Sequence, residues 1–270
     1  MKKLRIGIIG CGAIGSRIAI ECSDRLSGIF DLAGLCDVDD DKIAALNVSL
    51  KKKARALRLD ELIKEVDIVV EASSAMASAD ILERCIKNNR DCLIMSVGGL
   101  LGNESLLSDA EAAGVKVYIP SGAVCGIDAL KGASVGKVES VTLTTRKPPR
   151  GLEGAPYLVR NNIDLKLINS ETTLFEGSAE EAIRGFPANV NVSAVLSLAG
   201  IGAKNTRVRI VTSPAYTKNV HEVEIVGDSG RITTKTENIP SKDNPKTSAL
   251  AICSAIATLE GIARSVRIGT

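Results

Sequence analysis

Apolar runs of strand length alternate with amphipathic stretches through the first 120 residues. Short continuous apolar runs are typical of buried parallel strands, and the stretches between them have helical length and spacing. The runs that predict strands are residues 4–9, 32–36, 67–71, 92–97 and 115–120. Because strands that alternate with helices indicate βαβ units, we predict a mostly parallel sheet with right-handed crossovers.

The pattern changes after residue 121. Val138–Arg146 alternates between apolar and polar positions, and shorter strand patterns recur at 207–211, 220–226 and 231–236. The segment Gly227-Asp228-Ser229-Gly230 favours a hairpin between the last two. Strands without long crossovers predict a second, mainly antiparallel sheet. An apolar-faced stretch at 245–264 predicts a last helix that packs back on the first sheet's domain.

A glycine motif, Gly10-Cys11-Gly12-Ala13-Ile14-Gly15, lies between the first predicted strand and the first predicted helix. That context is typical of dinucleotide-binding turns. The first glycine permits a tight turn, the second lets a pyrophosphate approach the backbone, and the third lets the helix pack close to the strand. The positive end of the helix then faces the phosphates. The predicted cofactor contacts of this loop are Gly10, Gly12, Ala13, Ile14 and Gly15.

Asp37 follows the second predicted strand, about 20 residues after the motif, where an acidic residue holds the adenosine ribose hydroxyls. Its carboxylate would repel a 2′-phosphate and no arginine follows it, so NAD is favoured and NADP is possible. The alternative is a solvated aspartate in an acidic loop. These features indicate an α/β fold: a Rossmann-type parallel-sheet domain plus a second α+β domain.

The predicted boundaries assign 1–120 plus 245–270 to dinucleotide binding. Residues 121–244 form the predicted catalytic, substrate and dimerisation domain. Such a plan suits a homodimer, because the antiparallel sheet offers a dimer face.

Composition narrows the class of protein. The chain has 270 residues, with 34 Lys and Arg against 32 Asp and Glu, and a net charge of +2. This balance does not predict binding to nucleic acid or to a membrane surface. No signal peptide or membrane-spanning run is evident, so we expect a cytoplasmic protein. The seven cysteines lack metal-ligand spacing such as C-x-x-C, so no metal site is expected.

His221 is the only histidine in the chain. Strand alternation places it with Val223 and Ile225, on the face opposite Glu222 and Glu224. It is either a hydrogen-bonded core residue or an acid–base group, because an unperturbed pKa of about 6.5 suits proton transfer near neutrality.

Polar and basic residues at three other places are candidates for binding a substrate anion or amide. Lys147 lies at the end of a predicted strand, where Arg146, Lys147 and Arg150 bracket two prolines, and the alternative is a solvated basic turn. Lys246 and Thr247 lie at the expected start of the last helix, which is either an anion site formed by N–H groups or an ordinary helix start. Asn189 and Asn191 are either helix caps or ligand contacts.

At these residues the chain resembles the L-aspartate dehydrogenase family of archaea and bacteria over essentially its whole length. The resemblance is carried by these segments: Gly10–Gly15, Val70–Ser74, Ile119–Ala123, Thr145–Pro149, Phe186–Val192, Asn219–Glu222 and Asn244–Ser248. The later motifs are much more specific than the glycine motif.

The resemblance implies oxidation of L-aspartate to iminoaspartate with NAD or NADP. The reverse is reductive amination of oxaloacetate, and iminoaspartate can feed NAD biosynthesis. It maps the family's active-site histidine to His221 and its nicotinamide-proximal contacts to Ala123 and Asn189. In the resulting hypothesis the two substrate carboxylates are held by groups among Lys147, Asn191, Lys246 and Thr247.

Three rival interpretations are open to test. A dihydrodipicolinate-reductase-like enzyme shares the two-domain plan but carries adjacent histidines, which a chain with one histidine cannot match. Homoserine dehydrogenase is a second rival, and its sequence pattern is not evident here. The third is an NAD-binding sensor without turnover.

Overall fold

The computed structural model describes residues 3–187, 191–241, 247–266 and 268–269. The chain divides into two compact units, one of Met1–Pro120 with Ile252–Val266 and one of Ser121–Ala251 with Arg267–Thr270. Each unit is built around its own sheet.

The sheet of the first unit has six parallel strands in the order β3-β2-β1-β4-β5-β6. Its elements, in chain order, are β1 Leu4–Ile9, α1 Ala13–Ser23, β2 Phe30–Cys36, α2 Asp40–Ser49, β3 Arg55–Ala56, α3 Leu59–Glu65, β4 Ile68–Glu71, α4 Ala75–Lys87, β5 Asp91–Ile94, α5 Ser105–Ala112 and β6 Val117–Tyr118. The strand order reverses direction beside β1, and ligands of open α/β sheets bind at the carboxyl ends of the strands at such a point.

The core of the first unit includes one face of the last helix, α10 (Ala249–Ala263). Ile6 and Ile8 of β1 are fully buried, as is Val70 of β4. The same cluster contains Ile252, Ala255, Ile256 and Leu259 of α10. These four positions follow helical i, i+3, i+4, i+7 spacing, so one stripe of α10 completes the core.

The second unit has five strands in the order β11-β10-β7-β9-β8. Its elements are α6 Ile127–Ala133, β7 Val138–Lys147, α7 Pro156–Arg160, β8 Thr172–Ser178, α8 Ala179–Gly185, α9 Asn191–Ala199, β9 Thr206–Thr212, β10 Asn219–Gly227 and β11 Gly230–Asn238. Only the β7–β9 pair is parallel among these strand pairs. The predicted combination of a Rossmann-type parallel sheet and a mainly antiparallel sheet is confirmed.

The two faces of the second sheet differ in polarity. On one face Val141, Leu143, Val223 and Ile225 are buried in a cluster that also contains residues of α6 and α9. On the other face charged side chains pair across strands, as in the 3.0 Å contact between Arg146 and Glu222. Strand alternation therefore assigns each residue of β7 and β10 to a buried or a charged face.

Several element boundaries differ from the sequence-based prediction, and the strand predicted at 115–120 covers only Val117–Tyr118. The last helix begins at Ala249 and not near residue 245, because the Ser248 hydroxyl accepts from the Leu250 N–H group and so caps it. Residues 242–246, with the predicted cap at 244, lie outside the described residues. Strand β5 ends at Ile94, and a 3₁₀ turn over Val97–Leu100 follows.

None of the helices in the described part of the chain has the length and hydrophobicity needed to cross a membrane.

Candidate active site

The glycine loop between β1 and α1 has the geometry that the motif predicts. Gly10 has φ +95°, and a Cβ there would lie 2.4 Å from the carbonyl oxygen of Ala72. A Cβ on Gly15 would lie 1.8 Å from the carbonyl oxygen of Gly10. A Cβ on Gly12 would meet nothing within 4 Å, so this glycine faces open space. The loop therefore closes on itself at Gly10 and Gly15 and leaves room beside Gly12.

The start of α1 is suited to bind an anion. Gly12 is the N-cap, and no side chain of the described residues caps the first turn. Ala13 and Ile14 are the first two helical residues, and backbone N–H groups at a helix start favour phosphate. A dinucleotide's pyrophosphate thus fits this loop: the helix end supplies donors and Gly12 supplies space.

Asp37, directly after β2, is tied to the same loop. One carboxylate oxygen accepts from the Cys11 N–H group at 2.6 Å, and the other accepts from the Asp39 N–H group at 3.0 Å. A carboxylate has about four lone-pair sites, so these bonds leave capacity for ribose hydroxyls. Asp37 is therefore a positioning residue of the loop as well as the predicted ribose contact.

Glu71 organises the neighbouring loops, a role that the sequence analysis missed. Its carboxylate is fully buried at the end of β4. It accepts from the N–H and hydroxyl groups of Ser73 at 2.8 and 2.9 Å, and from the Ser96 N–H group at 2.9 Å. A buried carboxylate needs such donors, and here they fix the turns after β4 and β5. An acidic residue inside an otherwise apolar strand was the signal.

His221 lies on the buried face of the second sheet, as strand alternation predicts. It is 5% exposed, and its Nδ1 atom is 3.1 Å from the Thr145 hydroxyl oxygen. The two residues are directly opposite each other on β10 and β7. Cross-strand pairing therefore sets this hydrogen bond, and Thr145 is a site residue that the sequence analysis missed.

The protonation of His221 differs from the sequence-based expectation. Burial, together with the positive charge of Lys147, lowers the pKa of His221 from its ordinary 6.5 to about 3. The expectation that an ordinary pKa would suit proton transfer near neutrality is wrong for this environment. His221 is a neutral imidazole at pH 7, with one donor and one acceptor nitrogen.

Lys147 is the last residue of β7, two positions after Thr145, and so lies on the same face. Burial lowers the pKa of its amine from 10.5 to about 8. Lys147 lines a cavity of about 340 Å³ in the second unit. The full set of described residues around it is Lys147, Pro148, Arg150, Gly151, Leu152, Glu153, Gly154, Ala155, Pro156, Phe186, Pro187, Thr217, Asn219 and Pro240. Two basic residues against the one carboxylate of Glu153, with several apolar walls, suit a small anionic ligand.

Two family models match this chain. The model described as aspartate dehydrogenase, C-terminal, covers residues 128–262, and the one described as homoserine dehydrogenase, NAD binding domain, covers residues 10–120. An L-aspartate dehydrogenase of Methanosarcina acetivorans is 46% identical over 99% of this chain and 100% of its own length. The chain belongs to the L-aspartate dehydrogenase family.

Other members support the family assignment. An L-aspartate dehydrogenase of Bradyrhizobium diazoefficiens is 41% identical, over 99% of this chain and 95% of its own length. The crystal structure of aspartate dehydrogenase from Thermotoga maritima matches with a TM-score of 0.76 and 29% identity, over 99% of this chain and 100% of that one. The resemblance stated from the sequence is confirmed, and so are the oxidoreductase class and the NAD cofactor.

The comparisons also correct one point about homoserine dehydrogenase. Its sequence pattern does occur here, in the NAD-binding part over residues 10–120. The match of residues 128–262 to the aspartate dehydrogenase model is what distinguishes this chain from a homoserine dehydrogenase.

Ala123, the predicted nicotinamide contact, is held in place by β11. Its carbonyl oxygen accepts from the Thr236 hydroxyl at 3.1 Å and from the Asn238 side-chain amide at 3.0 Å. The Asn238 amide oxygen in turn accepts from the Ser248 hydroxyl at 2.6 Å. Asn238 is buried, so this network ties the loop at Ala123 to the segment before α10.

The remaining predicted contacts are Asn191, Thr247, Asn189 and Lys246. Asn191 is the exposed first residue of α9 and is not among the residues that line the cavity. Thr247 lies before α10, and its carbonyl oxygen accepts from the Ser241 N–H group, so the expected position in the first helical turn is wrong. Asn189 and Lys246 lie outside the described residues.

We predict that two glycine substitutions in the cofactor loop affect different properties, one NADH binding and the other stability. Gly12→Ala should leave the melting temperature unchanged but weaken NADH binding, because the new methyl occupies the open space beside the loop. Gly15→Ala should lower the melting temperature, because its Cβ overlaps the Gly10 carbonyl. Thermal unfolding and NADH fluorescence titration measure both. Equal NADH affinity for Gly12→Ala and the wild type would contradict the assignment.

We predict that Thr145→Val lowers kcat and costs about 1–3 kcal/mol of unfolding free energy, because it leaves the buried Nδ1 atom of His221 without its hydroxyl partner. Thr145→Ser keeps the hydroxyl and is the matched control. Denaturant unfolding and steady-state kinetics of the two variants provide the test. Wild-type kcat and stability in Thr145→Val would show that the hydrogen bond does not matter.

Proposed function

We propose that the protein oxidises L-aspartate to iminoaspartate with NAD, and runs in reverse as a reductive amination of oxaloacetate. The observation that carries this proposal is the polar end of the second sheet, where His221, Thr145 and Lys147 share one buried face beside a cavity. This arrangement lies within the stretch that matches the aspartate dehydrogenase model.

The first unit is the proposed dinucleotide-binding domain. Gly10, Gly12, Ala13, Ile14 and Gly15 shape its phosphate site, and Asp37 holds the adenosine ribose. When bound, NAD supplies the hydride acceptor. The Asp37 carboxylate disfavours a 2′-phosphate, which supports preference for NAD over NADP.

The second unit is the proposed substrate and dimerisation domain. Arg150 at the cavity, together with the protonated form of Lys147, attracts a dicarboxylate, and an arginine fork suits carboxylate geometry. His221 is the proposed catalytic histidine: a neutral imidazole that orients the substrate by hydrogen bonding. Asn191, Lys246 and Thr247 remain proposed substrate contacts, and Ala123 and Asn189 remain proposed nicotinamide contacts.

We further propose a cytoplasmic homodimer that serves NAD biosynthesis through iminoaspartate. All seven cysteines lie in the described ranges and are free, which is typical of a reducing compartment. The charged face of the second sheet, with pairs such as Arg146–Glu222 and Arg209–Glu176, offers self-complementary charges to a second copy. Sedimentation of the purified protein tests the dimer.

We predict that wild-type protein mixed with NAD and L-aspartate at alkaline pH forms NADH, with a higher kcat/KM for NAD than for NADP. His221→Ala should lower kcat by about 100-fold or more, because placement of the substrate supplies much of the rate. NADH affinity should stay unchanged, because His221 is not among the proposed dinucleotide contacts. Absorbance at the NADH band and fluorescence titration measure the two quantities.

His221→Asn is the matched control for folding, because its amide replaces part of the buried hydrogen bonding. Undiminished kcat in His221→Ala would remove His221 from the mechanism. Tight NADH binding by a wild-type protein that turns over neither L-aspartate nor oxaloacetate with ammonia would favour the sensor interpretation.

A further inference from the structure

The position of Lys147 connects the cavity to the buried pair of Thr145 and His221. Lys147 lines the 340 Å³ cavity, and with Thr145 it also lines a small void of about 10 Å³. A void of that size holds about one water molecule. Thr145 in turn contacts His221 at 3.1 Å. Of Thr145, Lys147 and His221, Lys147 is therefore the residue whose ionisable side chain borders the substrate-sized cavity.

The surroundings of Lys147 favour its neutral form. Leu152 and Phe186 line both cavities and are almost fully buried. Among the described residues, its charged or titratable neighbours include His221 on β10, and Arg150 and Glu153 on the loop after β7. The residues that α8, α9 and β9 contribute to the small void are uncharged: Ala182, Ser193, Val208 and Ile210.

These surroundings give the two titratable groups of the site different pKa values. Burial lowers the pKa of Lys147 to about 8, whereas burial and the Lys147 charge lower the pKa of His221 to about 3. A proton acceptor works best when its pKa lies near the working pH. At neutral or mildly alkaline pH only Lys147 of this pair exchanges a proton readily.

The geometry points to Lys147 as the catalytic residue that takes the proton from the α-ammonium group of the amino-acid substrate, with His221 beside it as a neutral hydrogen-bonding group. This inference rests on the proposed function, and it gives Lys147 a role other than holding a carboxylate.

One N–H bond of the substrate ammonium breaks, its proton moves to the neutral Nζ atom of Lys147, and the amine keeps the electron pair. The Cα–H bond then breaks, and its hydrogen leaves with two electrons for the oxidised nicotinamide. The nitrogen lone pair forms the C=N bond of protonated iminoaspartate. The substrate is oxidised, NAD is reduced, and Lys147 later returns its proton to water.

Two substitutions separate proton transfer from carboxylate binding. Lys147→Arg keeps the charge, but a guanidinium does not deprotonate in proteins, and Lys147→Met keeps only the length and the apolar stem. We expect kcat for L-aspartate oxidation to fall by about 100-fold or more in both variants, the usual scale for a lost acid–base group. KM for L-aspartate should change only a few-fold in Lys147→Arg and rise more in Lys147→Met.

Exposed Lys166 provides the matched control, and Lys166→Met should retain wild-type kcat and KM. Added primary alkylamines should restore part of kcat to Lys147→Ala, with a rate that rises with amine basicity. A lysine that only binds a carboxylate would give high kcat in Lys147→Arg and no dependence of rescue on basicity.

A direct titration needs neither turnover nor a variant. Wild-type protein without cofactor is labelled at a series of pH values with trace acetic anhydride, and the extent at Lys147 is measured by peptide mass spectrometry. Labelling at Lys147 should rise through a pH of about 8, well below the value of about 10.4 for a lysine in a model peptide. The wild-type kcat for oxidation should rise over the same range as Lys147.

Two results would overturn the inference: labelling of Lys147 that rises only near the model-peptide lysine value of about 10.4, or kcat in Lys147→Arg within about threefold of the wild type. Failure of the proposed function would look different. The wild type would then not form NADH from L-aspartate, whereas the labelling profile of Lys147 would be unchanged.

Discussion

The hydrogen bond between His221 and Thr145 is the interaction on which the second unit's site depends. A histidine that is 5% exposed and neutral needs a partner for its ring nitrogen, and the opposite residue of the neighbouring strand supplies one. Towards the other end of the same face, Val141, Leu143, Val223 and Ile225 form an apolar core. Along these two strands the face thus changes from apolar side chains that pack in the core to the polar side chains of the site. The rigid sheet fixes the position of the imidazole.

The first unit meets a different constraint, since its loop must bring backbone close to a doubly charged diphosphate. Gly10 and Gly15 permit the tight closure, and Asp37 holds the Cys11 amide from the next strand. Glu71 fixes the adjacent turns through buried hydrogen bonds. Two buried or half-buried carboxylates therefore shape the loops of an anion site by accepting from their backbone N–H groups, and Asp37 keeps capacity for ribose hydroxyls.

Much of this could be predicted from the sequence, because periodicity and glycine spacing are local. Alternation placed His221 on the buried face, and the hairpin at 227–230 follows from its turn residues. The partner of His221 could not be predicted, since pairing of β7 with β10 joins residues 76 positions apart. The pKa values of His221 and Lys147 were equally inaccessible, because both follow from burial and that of His221 also follows from the charge of Lys147. The predicted start of α10 near residue 245 was wrong, because Ser248 caps the helix.

The measurement that tests the account most directly is a crystal structure with NADH and succinate, a dicarboxylate that lacks the reacting amine. The account predicts succinate in the cavity of the second unit, with one carboxylate in contact with Arg150 and the carbon chain within reach of both His221 and the Lys147 amine. Succinate bound elsewhere, with His221 and Lys147 still covered by protein and touching no ligand, would contradict it.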